Sequence, residues 1–414
     1  MKRAGAGALG VVWSLATVGL LAAMLMPTAR PTESWSVIIG GENQGYLSPC
    51  GCVKPMSGGL RRRVTAALEW NLPGRTLTLE TGRLVRSDAR QDQLKAEALA
   101  QGLRAMRVDA IHATDQDLRL APGIRDSVAR LSQAAWIAGN AGPGAGIPET
   151  FEKGPFLVGA ITADAPGADS AVQRLLQEAQ GAELVPVLMT TGNENSAREM
   201  ARRFPGLRLI VYRSQTQPPP QALREGSTWL VSPGEKGKAV VRLVWNGRAW
   251  EGYQWNPLGP DVDNHPEAQR IFDTYLDRVR DEKLLEALPR DHTAAFAGSK
   301  ACAPCHPAAY KVWRESQHAT ALGTLEQERQ DRDPDCVSCH VVGLESTQGF
   351  RDRKTTPDLA DVGCESCHGP GKMHVMNPVE HPLPKIDERS CFKCHNNDHS
   401  PGFNFKTAWP KIQH

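Results

Sequence analysis

The sequence predicts an α/β layered-sheet domain followed by a mainly α, loop-rich domain, both behind an N-terminal membrane helix. Three observations predict it. Between Trp35 and Trp255, short β-branched runs alternate with amphipathic stretches, the pattern of a sheet flanked by helices. The last quarter of the chain repeats Cys-x-x-Cys-His four times. At the start, Lys2 and Arg3 precede a charge-free stretch from Ala4 to Met26.

That stretch, at about 20 residues, is long enough to span a bilayer. Met26-Pro27-Thr28-Ala29 is a poor small-x-small cleavage site, so residues 1–30 read as an uncleaved signal anchor in preference to a cleaved signal peptide. The basic end is then cytoplasmic and everything after Arg30 lies outside. Residues 31–262 form the α/β domain. Strands are expected at Trp35–Gly40, Thr76–Glu80, Asp109–Ala113, Ala135–Gly139, Phe156–Ile161, Leu184–Met189, Leu207–Tyr212 and Ala239–Trp245, with helical periodicity over Gln91–Met106, Asp169–Gln180 and Asn195–Phe204. Because strand-like segments resume at Ser227–Val231 and Lys238–Trp245, the run Gln217-Pro218-Pro219-Pro220 is an exposed loop inside the domain and not its boundary. Asn264-His265-Pro266 signals a helix start, and Glu267–Leu288 keeps Ile271, Tyr275, Val279 and Leu284 on one face until Pro289. Residues 263–290 therefore read as a linker helix, suited to act as a strut, and residues 291–414 as the second domain.

The repeated motif defines that domain. Cys302/Cys305/His306, Cys336/Cys339/His340, Cys364/Cys367/His368 and Cys391/Cys394/His395 each place two thiols one turn apart with a histidine directly after. Two thiols so spaced add to the two vinyl groups of one porphyrin, and the histidine falls beneath the ring as proximal iron ligand. A zinc ribbon has no need for histidine after every second cysteine. The predicted cofactors are four haem c, and the porphyrins must supply much of the core of so short a region. Of ten cysteines, the two outside the motifs form the unit Cys50-Gly51-Cys52. Covalent haem is attached on the oxidising side of a membrane, which agrees with the export signal. The formal net charge of +2, with no long basic run, excludes nucleic acid as an expected partner.

The segment from Ala301 onward resembles the tetrahaem cytochromes c of the hydroxylamine-oxidation electron-transfer family. The resemblance is carried by Trp313-x-x-Ser316-x-His318-Ala319, Cys339-His340-Val341-Val342-Gly343, the run Gly363 to Gly371 with His374, Ser400-Pro401-Gly402-Phe403, and Trp409-Pro410-Lys411-Ile412-x-His414. It implies closely packed haems with most irons in low-spin bis-histidine form. By fit to that pattern, His318, His374 and His414 are the distal ligands. For the fourth, His399 is the candidate beside His292 and His381, and an iron left five-coordinate is the alternative. Met373 and Met376 read as packing.

Residues Trp35–Trp255 resemble the 5′-nucleotidase-like metallophosphoesterases, on Gly45-Tyr46-Leu47-x-Pro49-Cys50-Gly51-Cys52 and Gly58-Gly59-Leu60-x-Arg62-Arg63. The family's metal-binding positions are replaced: Glu42-Asn43-Gln44 stands for aspartate-x-histidine, Gly82-Arg83 for Gly-Asp, Thr114-Asp115-Gln116-Asp117 for Gly-Asn-His-Asp/Glu, and Tyr212-Arg213 for the later Gly-His. Two cations need several carboxylate and imidazole ligands, and a guanidinium among them repels metal, so phosphoester hydrolysis is not expected. Cys50 and Cys52 could cycle as a strained disulfide or hold a soft metal, or form a structural turn. Arg61-Arg62-Arg63 reads as the solvated start of a helix.

The functional expectation is electron transfer, in preference to catalysis, by a protein anchored in an inner membrane and facing the periplasm. Its partners would be redox proteins or a membrane electron-transfer complex, and the sequence sets no oligomeric state. The alternative is a multihaem oxidoreductase acting on a small nitrogen or sulfur species at an open haem iron or at the Cys50/Cys52 pair.

Overall fold

Segment Trp35–Gly40 forms strand β1 with its side chains divided by parity: Val37 and Ile39 enter one buried cluster and Ile38 another. A strand covered on both faces requires this division. In the computed structural model, which describes residues 33–49, 56–142, 144–396, 399–400 and 402–414, β1 is central to the first of two six-stranded sheets. Strands β2 (Thr76–Glu80), β3 (Ala110–His112) and β4 (Ala135–Ile137) continue parallel on one side of it. On its other side β11 (Ala239–Trp245) and β12 (Trp250–Pro257) run antiparallel. The second sheet has the order β5-β6-β7-β8-β10-β9, built from Thr150–Lys153, Phe156–Ile161, Val185–Thr190, Leu209–Val211, Thr228–Val231 and Leu223–Glu225 respectively.

The two sheets pack face to face. Val37, Leu79 and Val241 of the first meet Phe156, Val187 and Val211 of the second in one cluster, and Phe156 stacks on Trp250 with ring centroids 5.7 Å apart. Each outer face carries helices: Leu60–Glu69, Arg90–Ala105 and Pro266–Asp281 on the first sheet, and Ala168–Gly181 and Glu194–Arg203 on the second. The result is four layers. The expected α/β layering is present, but as two sheets. Short, fully buried runs do not reveal which sheet they join, since their periodicity is the same in both.

Three expectations need correction or restriction. The helix predicted over Glu267–Leu288 runs Pro266–Asp281 and is no free strut: Phe272, Tyr275, Leu276 and Val279 are buried in the core of the first sheet. The Arg61-Arg62-Arg63 run is not a solvated face. Arg63 is 3% exposed and paired with the fully buried Glu80, while Arg61 lies over the Phe272 ring at 4.6 Å and donates to Gln269 at 2.9 Å. The predicted anchor at 1–30 and the Cys50/Cys52 pair lie outside the described residues, and among the described residues no helix is long and apolar enough to cross a membrane.

Beyond Leu288 the elements become short. Among the described residues, the longest helix from Ser299 onward, Pro307–Arg314, has 8 residues, below the length at which an isolated helix is stable in water. One modest apolar cluster, with Leu322, Val337, Val342 and Phe350 at its centre, holds this region together and recruits Leu285 from the end of the preceding segment.

Candidate functional site

Each Cys-x-x-Cys-His motif folds as a single helical turn. The N–H of His306 donates to the carbonyl of Cys302 at 2.9 Å, and that of His395 to Cys391 at 2.9 Å. Cys364–His368 is a five-residue helix. Such a turn puts both thiols and the imidazole on one side, the geometry that attachment of one porphyrin needs.

The imidazoles are brought together in pairs that cross between motifs. His306 faces His374 with ring centroids 6.3 Å apart, His395 faces His318 at 6.2 Å, and His368 faces His414 at 5.9 Å. With metal–nitrogen bonds of about 2.0–2.1 Å and ring centres about 1 Å further out, two imidazoles sharing one metal ion stand about 6 Å apart, so these rings fit an iron between them. In two of the paired rings the other nitrogen is occupied: Nδ1 of His374 donates to the carbonyl of His381 at 2.9 Å and Nδ1 of His414 to Ile412 at 2.9 Å, as Nδ1 of His340, outside the pairs, does to Ala321 at 2.8 Å. A carbonyl only accepts, so this bond fixes the tautomer that leaves Nε2 free for iron. Burial pushes His318, His368 and His395 below the usual histidine range, and neighbouring imidazoles add to the effect at His318 and His368. A neutral ring is the ligating form.

His340 is in none of these three pairs. It lies with Cys336, Cys339, His318, His395 and His399 in the wall of a cavity of about 1690 Å³ that also touches the α/β domain. The backbone N–H of His399 bonds the Asn396 side chain at 3.0 Å. Of the other two candidates, His292 is exposed, 3.9 Å from Glu345, and lines the same cavity, while His381 offers its carbonyl to His374. The attachment cysteines also come in neighbours, for the thiol of Cys302 hydrogen-bonds that of Cys364, and Cys339 that of Cys394.

Seven of the motif cysteines are half-buried, and Cys305 is exposed. The cause is its place in the chain. Helix Ser299–Cys302 is buried at its start, where Ser299 Oγ accepts the N–H of Cys364 in the third motif at 3.1 Å, and the run from Pro304 to Ala308 that follows lies on the surface. Within the first motif, Cys302 therefore faces inward to Cys364 while Cys305 sits at the rim. A porphyrin attached there would have one edge toward solvent.

Sequence reasoning missed the groups that hold these pieces in place. Glu365, an interior residue of the third motif, is 4% exposed and accepts the N–H groups of Ala297, Gly298 and Gly371 at 2.9, 2.8 and 2.6 Å. Trp313 donates its indole N–H to the Val362 carbonyl at 2.8 Å. Their signal was weak: an acidic residue at a variable motif position, and one tryptophan within a matched run.

At the C-terminal ends of β1, β2 and β3 the structure gathers the replaced metal-ligand positions. Glu42, with its side chain 3% exposed, receives Arg83 Nη1 on Oε2 at 2.9 Å and Arg213 Nε on Oε1 at 2.9 Å. Arg83 Nε also donates to Gln116 Oε1 at 3.0 Å. Burial pushes the Glu42 carboxyl up, opposed by the two guanidiniums. Asp117 accepts the N–H groups of Arg83 and Leu84 at 2.8 and 2.9 Å. Glu42 and Arg83 adopt left-handed backbone, with φ 54° and 51°, so the loops are shaped to aim these side chains at one another. Buried His112, next to this edge, is pulled down to about 3 by burial and by Arg213. These residues do not fit a two-cation centre: two guanidiniums converge on the carboxylate where cations would need it.

Comparison with known proteins agrees with this division. The family model described as cytochrome c554 and c-prime matches residues 301–369. The chain is 37% identical over 94 residues to cytochrome c-554 of Nitrosomonas europaea, covering 19% of this chain and 40% of that protein. It is 33% identical over 88 residues to the C-type polyheme cytochrome OmcB of Geobacter sulfurreducens, covering 20% of this chain and 12% of that protein. The chain thus spans less than half the length of these relatives. In structure it is similar to a 5′-nucleotidase precursor from Thermus thermophilus, with a TM-score of 0.50 and 17% identity over 72% of this chain and 67% of that one, a likeness of fold.

Proposed function

We propose, from a C-terminal cytochrome c554 domain joined to an α/β domain of 5′-nucleotidase-like fold, that this chain carries electrons through four covalently attached haem c groups. The observation that carries the reading is the set of three facing imidazole pairs, His306/His374, His318/His395 and His368/His414. Bound haem supplies one-electron exchange at iron. The chain's own part is to hold paired imidazoles at fixed separation, so that a change of oxidation state demands little movement, and to keep attachment sites adjacent, as at Cys302/Cys364 and Cys339/Cys394. Partners are redox proteins or a membrane electron-transfer complex. Residues 1–30 would anchor the chain with its domains on the periplasmic side, where c-type attachment occurs.

The α/β domain in this reading has lost phosphoesterase activity, because Glu42 is committed to Arg83 and Arg213. A second reading, an oxidoreductase acting on a small nitrogen or sulfur species at an open iron, is favoured by the place of His340: in a cavity wall and outside the three pairs. Three measurements test the two readings, the first two of them on the oxidised holoprotein. Mass analysis should give four haems per chain, and low-temperature electron paramagnetic resonance should count at least three low-spin irons. Fewer than three would overturn the ligand assignment. Carbon monoxide binding to the reduced protein would favour the second reading, and its absence the first.

A further inference from the structure

We propose that the α/β domain positions and electrostatically tunes the second haem-attachment motif, through Gln91, Lys95 and Tyr275 acting on the N-terminus of the helix that carries Cys336. This rests on the reading that a haem is attached at Cys336 and Cys339. The helix concerned, Pro334–Val337, has only four residues, too few to persist without outside support. Its N-cap is Asp333, whose Oδ1 accepts the Asp335 N–H at 3.0 Å. The same carboxylate reaches into the α/β domain: Oδ2 accepts the Tyr275 hydroxyl at 2.8 Å, and Oδ1 accepts Gln91 Nε2 at 2.6 Å. Gln91 Nε2 also donates to Tyr275 Oη at 3.0 Å. Beside this cap, Lys95 is ion-paired with Asp335, the residue directly before Cys336, and lies 3.9 Å from Asp92.

Tyr275 is 3% exposed, Asp333 5% and Lys95 7%, while Gln91 is half-buried. Burial drives the Tyr275 phenol well above its ordinary value, which keeps it a neutral donor, while the rise that burial imposes on Asp333 is opposed by Lys95. Buried ionic groups give little net stability compared with apolar packing, and their attested use is to fix one arrangement among alternatives. Here the arrangement fixed is the seat of one attachment motif. Lys95, Asp335, Cys336, Cys339 and His340 all border the same cavity, so the charges act on the iron that His340 serves. A cation nearby favours the reduced, less positive iron, and an anion favours the oxidised one.

Removing the two charges singly must therefore move one potential in opposite directions, which a purely structural effect would not do. In full-length holoprotein, Lys95→Met should lower the reduction potential of one haem and Asp335→Asn should raise the potential of that same haem. Each change is expected to be about tenfold in the reduction equilibrium, or about 59 mV for a one-electron couple. Lys95→Arg should restore the parental value. Potentiometric titration followed by absorption reads the couples, and mass analysis of the same samples counts the haems. Couples that do not move, or that move in the same direction in both variants, or all couples moving together, would overturn the proposal. If Lys95→Met does not accumulate, Asp335→Asn decides, since its side chain is 52% exposed and the substitution is nearly isosteric. A parental protein without haem at Cys336 and Cys339 would instead refute the attachment reading beneath it.

Discussion

Replacing Glu365 with alanine should cost the chain one six-coordinate iron before it costs the α/β fold. The carboxylate accepts three backbone N–H bonds, from Ala297 and Gly371 on Oε1 and from Gly298 on Oε2. Ala297 and Gly298 lead directly into the helix Ser299–Cys302 of the first motif, and Gly371 is the N-cap of the helix Lys372–Met376 that carries His374. One side chain thus holds both sides of the His306/His374 pair. Hydrogen bonds to a charged acceptor are worth about 1.5–3 kcal/mol each, and three that share one carboxylate are not additive, so Glu365→Ala should lose about 4–6 kcal/mol locally. Glu365→Gln keeps one accepting oxygen and should lose about 2 kcal/mol. The assay is guanidinium unfolding of the full-length holoprotein, with the haem absorption band reporting the C-terminal region and far-ultraviolet circular dichroism the whole. A protein of several domains need not unfold in two states, so midpoints are compared and not extrapolated free energies. The haem midpoint should fall in the order parent, glutamine, alanine, and the alanine variant should show one fewer low-spin iron. An alanine variant with the parental haem midpoint and an unchanged low-spin count would refute the reasoning.

Arg213→Met leaves the buried Glu42 carboxylate with a single guanidinium and should destabilise the α/β domain by about 3 kcal/mol, seen as a lower melting temperature; an unchanged melt would show that the ion pair is incidental. The parent, supplied with manganese or zinc, should show no phosphatase or nucleotidase turnover, and metal-dependent turnover abolished by Asp115→Ala would reverse the assignment of a lost site. His112 predicts an acid-sensitive step. Its ordinary value of 6.5 falls to about 3 in the fold, so between those values the unfolded chain binds a proton that the folded one refuses, and stability drops as pH falls from 6.5 toward 3. His112→Gln should flatten that slope relative to the parent, by up to ~4 kcal/mol at the acid end, and superimposable pH–stability curves would remove His112 from the account. Cys50 and Cys52 should titrate with thiol reagents after reduction, because a disulfide closed over one residue is strained and easily reduced; thiols inert in both oxidised and reduced samples would return the turn to a structural role.

How much of this was legible in the sequence depended on whether the signal was local. Strands Trp35–Gly40, Thr76–Glu80, Phe156–Ile161 and Ala239–Trp245 have the bounds that their buried, β-rich runs announce. Strand Trp250–Pro257 was not anticipated. Its exposed face and Gly252 blur the alternation, and only its pairing with Ala239–Trp245 defines it. The motif cysteines and histidines are visible because the macrocycle dictates their spacing. That spacing carries no information on burial, which is why the exposed Cys305 looks the same in sequence as the half-buried Cys302. Which histidine faces which is equally hidden, because His395 meets His318 from a stretch 77 residues earlier, 395 less 318. Arg63 was misread for the same reason: a run of three arginines looks solvated until Glu80, seen only in the fold, takes one of them inside.

The two parts of the chain solve opposite problems, and the junction between them follows from that. The α/β domain buries apolar residues in three clusters and closes the ends of β1, β2 and β3 with an internal carboxylate–guanidinium bridge, Arg83–Glu42–Arg213. Among its described residues the C-terminal region has one small apolar cluster and no helix longer than 8 residues, so on the proposed reading it depends on porphyrins and on whatever fixed surface it can lean against. Leu285 and the contacts of Gln91 and Tyr275 with Asp333 supply that surface from the α/β side. A domain with no part in the second motif would have no reason to turn a buried tyrosine, a buried lysine and a half-buried glutamine toward it. Their direction is an argument that the α/β domain is retained for what it does to the haems.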